Sequence, residues 1–294
     1  MLEYAIAIVT FTAIYAVVAL GLNLQWGETG LVNLGQVGFM AIGAYTSALL
    51  ALAGWPFWFA IPAAAAAAGA SSVLLVAVTP RLREDYLAIV TLGFSEAIRL
   101  VLLNEAWIGG GARGLVDLPQ PLRGVVPDGA YTAAYAALTV AALAVTGWVF
   151  SRITRAPIGR LLRAVREDEV VPQAVGKSVL RLKAQAFVLG AAAAGLGGSL
   201  YVHYLRYIAP EMFTAQVSVF VLVAVLAAGG GSHARTVLGA VVVAVILEGT
   251  RFLKDYLPGI DGVQLAALRL MVIGAALVAL CLWRPEAMAR REAP

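Results

Sequence analysis

The residues with the greatest chemical potential are few and scattered. Gly176-Lys177-Ser178 has the ending of a phosphate-binding loop, in which backbone N–H groups and a lysine cradle the phosphates of a nucleotide. That loop needs a glycine five residues ahead of its Gly-Lys-Ser, and Val171 stands there, followed by Pro172. ATP binding by that motif is excluded. The histidines, His203 and His233, are thirty residues apart, and Cys281 is the sole cysteine, so no internal disulfide and no cysteine cluster can form. No His-Glu-x-x-His, Gly-x-Ser-x-Gly or Cys–His constellation is present, which removes the usual carriers of hydrolytic and metal chemistry. What remains is charge and amide chemistry inside apolar sequence. Glu96 and Arg99 are three apart, as are Glu248 and Arg251, so each pair shares a helix face. Charge within a membrane pairs or faces a polar cavity. Each pair therefore either lines a gate or pathway, or locks neighbouring helices. Asn33, Gln36, Tyr45 and Thr46 are open to the same two readings: a polar path, or hydrogen bonds between helices.

The elements that must position these groups follow from composition. The 294 residues are 61% hydrophobic and 13% charged, whereas average soluble domains are about 25% charged. Apolar stretches of about 20 residues recur, the length a helix needs to cross hydrocarbon. Runs such as Ala63–Ala68 and Val241–Leu247 do not alternate, which excludes the dyad pattern of a membrane barrel. The expectation is an all-α polytopic bundle of about 8–10 helices, with spans at 4–22, 31–53, 56–79, 86–103, 131–150, 184–205, 214–230, 236–256 and 263–283. The Gly- and polar-rich stretch Gly21–Gly35 could form a re-entrant break. Met1-Leu2-Glu3 lacks the basic start of a cleavable signal, so the first span is expected to be retained. The net charge of +4 fits anchoring loops, not nucleic acid, since no basic stripe with interleaved aromatics occurs.

Ser151–Lys183 carries eight of the 21 lysines and arginines. Basic loops stay in the cytoplasm, which places this segment there. Counting crossings from it puts Arg81 and Arg83, His233 and Arg235, and the C-terminal Arg284, Arg290 and Arg291 on the same side. The loop 104–130 and the N-terminus then fall outside. An offset of 152 aligns Glu96 and Arg99 with Glu248 and Arg251, Gly38 with Gly190, and Gly43 with Gly195. This is a possible internal repeat of the kind common in transporters. Within the basic segment, Ile158, Leu161, Leu162 and Val165 form one apolar helical face. Pro172 and Gly176 are expected to end or bend that helix. A short amphipathic helix suits docking into a groove on a partner or lying on anionic lipid. Glu167, Asp168 and Glu169 favour the protein partner.

The run Gly159-Arg160-Leu161-Leu162-Arg163-Ala164-Val165-Arg166-Glu167-Asp168-Glu169, with Ala174-Val175-Gly176 and Lys183-Ala184-Gln185-Ala186-Phe187, resembles the cytoplasmic loop of branched-chain amino-acid ABC permeases. Gly21-Leu22-Asn23-Leu24 through Gly43-Ala44-Tyr45-Thr46, Asp85-Tyr86-Leu87-Ala88 through Phe94 with Glu96 and Arg99, and Tyr207-Ile208-Ala209-Pro210-Glu211 agree in the same order. Within that family the chain is most similar to the M-type subunit of the leucine/isoleucine/valine system. The resemblance implies a single permease domain over 1–294 in a bacterial inner membrane, with 151–183 as the loop that couples to an ATPase. It implies a homologous second permease subunit, two cytoplasmic ATP-binding subunits and an extracytoplasmic binding protein, besides membrane lipid. No cofactor is expected on this chain itself, ATP being used by the partners. Arg163, Arg166, Glu167, Asp168 and Gly176 are then the expected coupling residues. Asn33, Gln36, Tyr45, Glu96, Arg99 and Glu248 are the expected pathway residues. Val171-Pro172 stands where the family usually has small residues, so the coupling helix is expected to end early. Gly109–Gly114 matches the family's outer glycine loop only in part. The rival reading is a self-sufficient ion-coupled transporter or channel, which would need mid-membrane carboxylates such as Glu96 and Glu248.

Overall fold

The computed structural model describes residues 2–78, 84–124, 126–256 and 262–283. It is helical throughout: α1 Leu2–Leu22, α2 Gln36–Leu52, α3 Phe57–Val78, α4 Glu84–Asn104, a short α5 Ala106–Gly109, α6 Tyr131–Arg155, α7 Pro157–Glu167, α8 Val170–Ala174, α9 Val179–Leu205, α10 Ala215–Ala228, α11 His233–Tyr256 and α12 Gly262–Trp283. Each expected span falls on one of the long helices. Among the described residues, six helices are long and apolar enough to cross a membrane, and α2 and the described apolar part of α11 are shorter. Large apolar side chains remain exposed on the outside of the bundle, among them Trp58, Leu74, Ile89, Val145 and Leu238. In water such a surface would associate; against lipid it is the expected exterior.

The sequence-based span 31–53 needs correction. Helix α2 begins only at Gln36, and α1 runs on into a π-helical turn, Asn23–Glu28. Residues 29–35 then return without helix. At 17 residues, α2 is about 25 Å long, short of the roughly 30 Å hydrocarbon core. The π-turn and return segment adjoin its N-terminal end. Irregular backbone at this depth must be covered by protein. Here Asn23, Gln25, Glu28, Thr29 and Asn33 are all buried.

The centre of the bundle is α9, packed on α1, α2 and α3. Glycine makes that approach possible. A Cβ on Gly43 would collide with the backbone of Gly195, and one on Gly198 with the carbonyl of Met40, so small residues set the helix spacing. Ser47 Oγ and Ser199 Oγ meet at 2.7 Å across the same seam. Gly43 and Gly195, like Ser47 and Ser199, are 152 positions apart, so the offset seen in the sequence recurs as contacts between α2 and α9.

The two ends of the bundle differ. At one, the 105–130 loop meets the 206–214 loop: Leu115 and Ile208 exchange backbone hydrogen bonds of 2.9 and 3.0 Å, and His203 Nδ1 lies 2.9 Å from the Pro119 carbonyl oxygen. At the other, the π-turn, α7, α8 and the Gly229–Ser232 turn gather. A second apolar cluster sits there, in which Leu162 and Val165 of α7 pack with Leu20, Leu24, Phe150, Val179 and Leu182.

Candidate functional site

The basic segment folds as a helix, a bend and a second helix. Pro157 begins α7, a position where a missing N–H costs nothing. The helix ends at Glu167, and Asp168 adopts extended backbone (φ −154°, ψ 123°). Its Oδ1 accepts a hydrogen bond from the Val170 N–H at 2.8 Å, which starts α8. Pro172 is buried, and Gly176 takes φ +71°, a conformation that favours glycine. The early end anticipated from Val171-Pro172 is thus a break at Asp168, after which a second short helix carries Val171 and Pro172.

The expected amphipathic face has a different destination from the one its pattern suggested. Leu162 and Val165 are turned into the bundle's own core, so they are not available to a partner groove. The outward surface of this end is made by Glu167, Asp168, Gln173, Lys177 and Ser178, all exposed, and by three exposed valines, Val170, Val171 and Val175. Lys183 Nζ pins Glu169 at 2.6 Å and holds α8 against the start of α9.

The coupling residues expected from the sequence therefore divide. Glu167, Asp168 and Gly176 lie on the exposed surface. Arg163 and Arg166 instead reach into the bundle. Arg163 Nη1 bonds Glu28 Oε2 at 3.0 Å and the Thr154 carbonyl at 3.2 Å, and Arg166 Nη1 donates to the Gly27 carbonyl. Glu28 is the residue that sequence reading missed. Its signal was present: a carboxylate between two apolar stretches demands a partner.

The expected pathway residues also divide. Asn33 Nδ2 donates to Gln25 Oε1 and to Gln36 Oε1, each at 2.8 Å. Gln36 Nε2 donates to the Gly190 carbonyl at 3.1 Å, and Gln25 Nε2 to the Phe187 carbonyl at 2.9 Å. These amides stitch the return segment to α9. Arg99 Nε bonds both carboxylate oxygens of Glu96 at 3.0 Å, and its Nη1 lies 3.6 Å from Glu211 Oε1. The pair thus ties α4 to the 210–212 turn at the end opposite the basic segment. Tyr45 is buried against Gly109 and Phe213, and its hydroxyl has no hydrogen-bond partner among the described residues. The backbone of Glu248 lies in α11, but its side chain, like that of Arg251, is outside the described residues, as are Arg81, Arg83, Arg284, Arg290 and Arg291.

A family model described as "branched-chain amino acid transport system / permease component" matches residues 4–281. The chain belongs to that permease family. Among curated relatives, it is 36% identical to the high-affinity branched-chain amino acid transport system permease protein LivM of Salmonella typhimurium, over 97% of this chain and 69% of that protein. It is equally similar to LivM of Escherichia coli, at 36% over 96% of this chain and 69% of that one. A probable branched-chain amino acid transport permease protein LivM of Methanocaldococcus jannaschii is 28% identical over 96% of this chain and 92% of its own length. No solved structure matches significantly. The match covers both ends of the permease described above, the basic segment and the loop pair at the opposite end.

Proposed function

We propose that this chain is one of two pathway-forming subunits of an ATP-driven importer for branched-chain amino acids, working by alternating access with no ATPase site of its own. Family membership over nearly the whole chain carries the reading. The exposed surface from Glu167 to Ser178 supports it, because it offers a partner both charge and apolar area. The basic end faces the cytoplasm, by the rule that lysine and arginine loops are retained there. In this orientation the N-terminus and the loops 105–130 and 206–214 are extracytoplasmic, the C-terminus is cytoplasmic, and a binding protein delivers substrate to the loop end. Two cytoplasmic ATP-binding subunits and a homologous second permease complete the assembly.

Such a machine takes its energy from differential contacts in two states. ATP binding in the partners would move α7 and α8, and α7 is part of the bundle's core. Ion coupling is the weaker reading, because Glu96 is held by Arg99 and so is not a free carboxylate for an ion. Reconstituted with its partners in proteoliposomes, the protein is expected to take up leucine only with ATP on the side of the ATPase subunits. Uptake that persists without ATP or without those subunits would refute the importer reading.

A further inference from the structure

We propose that Glu28 receives the motion of α7 through Arg163 and passes it to the return segment, making this ion pair the link between the ATPase-facing surface and the pathway. The proposal rests on the importer reading and names a positioning residue for it. Three observations carry it. First, two arginines of α7 reach the π-turn: Arg163 bonds the Glu28 carboxylate at 3.0 Å, besides the Thr154 carbonyl of α6 at 3.2 Å, and Arg166 bonds the Gly27 carbonyl. Glu28 is buried, its side chain 3% exposed, and Arg163 is its ion-pair partner among the described residues. A buried carboxylate cannot easily let its cation go, so displacing α7 must drag the turn or break the pair.

Second, the π-turn is wired to three other helices. Asn23 Nδ2 meets His233 Nδ1 at 3.2 Å and Asn23 Oδ1 accepts from the Gly231 N–H at 3.0 Å, which joins the start of α11. Gln25 joins the turn to α9, and Asn33 carries the same network to α2. A pull on Glu28 therefore reaches α2, α9 and α11 without passing through solvent. π-Turns inside helices are frequent at functional sites, and this one contributes the buried acid.

Third, there is room to move. A cavity of about 770 Å³ opens beside the pair, lined by Glu28, Arg163, Thr154, Arg155 and His233 and by Gly147 and Trp148 of α6. Packed interiors are not continuously deformable, so space next to the link lets α7 shift against α6 and α11.

The test uses the full assembly, with its ATPase subunits and binding protein, in proteoliposomes. ATP hydrolysis is measured with and without leucine-loaded binding protein, alongside leucine taken up per ATP consumed. Glu28→Gln is expected to co-purify with the ATPase subunits and to hydrolyse ATP, yet to lose at least tenfold in uptake per ATP and most of the stimulation by binding protein. Glu28→Gln/Arg163→Gln is expected to be no worse than either single variant, the signature of residues acting through one another. Wild-type stimulation and uptake per ATP in Glu28→Gln would overturn the proposal, as would losses that add in the double variant. Should Glu28→Gln not assemble, Arg163→Gln, whose side chain is half exposed, decides alone: uncoupled hydrolysis supports the link, and coupled hydrolysis overturns it. An inactive wild-type assembly would sink the importer reading itself, and the link with it.

Discussion

Asn33 shows how one residue's role turns on its neighbours. Its amide serves Gln25 and Gln36 and its oxygen accepts from the Gly35 N–H at 2.8 Å. Truncation would leave several buried groups unpaired, at about 1–3 kcal/mol for each. Asn33→Ala is therefore expected to lower the melting temperature of the detergent-solubilised complex by several degrees while leaving the KM for uptake unchanged. A changed KM at an unchanged melting temperature would place Asn33 on the substrate's path instead. Glycine makes the complementary case on the seam between α2 and α9. Gly198→Ala must push α2 and α9 apart at the Met40 carbonyl, and overpacking of this kind costs about 1–3 kcal/mol. A clear drop in thermal stability is expected, read by fluorescence-monitored size exclusion after heating; an unaltered profile would mean that the seam is looser than its geometry implies.

At the scale of elements, Val170 and Val171 stand exposed on α8, where the proposed ATPase contact would bury them. Val171→Asp places a charge there without touching the core. It is expected to weaken co-purification with the ATPase subunits about tenfold, near 1.4 kcal/mol, while insertion stays normal. Undiminished co-purification would remove α8 from the contact. The long helices and the existence of α7 were legible in the sequence because apolar length and a 3.6-residue period are local signals. A break within Gly21–Gly35 was legible in its glycine and polar content, but its π-helical form was not, since Asn23–Glu28 has no periodicity of its own and its amides find their partners on α9 and α11. The destination of α7's apolar face was also hidden: Leu162 and Val165 read the same whether a partner or the chain's own Leu20 and Leu24 cover them. Glu96 and Arg99, by contrast, were paired in the sequence and are paired in the fold, but the reach to Glu211 is tertiary and left no mark in the spacing.

At the scale of the whole molecule, the two ends of the bundle are built differently. One end gathers α7, α8 and the Gly229–Ser232 turn around a buried acid; the other zips two loops together through Leu115 and Ile208. The orientation that gives these ends their meaning can be read directly. With Cys281 replaced by serine, Ser178→Cys is expected to react with a membrane-impermeant maleimide only after the cytoplasmic side is opened, and Ala112→Cys only from outside. The reverse pattern would invert the proposed topology. The central claim is that this permease is driven through the surface that begins at Glu167. It is tested most directly by ATP-dependent leucine uptake in proteoliposomes carrying the full assembly, wild type against Glu167→Arg. The wild type should transport, and the variant, inserted and folded, should lose at least nine-tenths of that rate. Equal rates in the two would contradict the account.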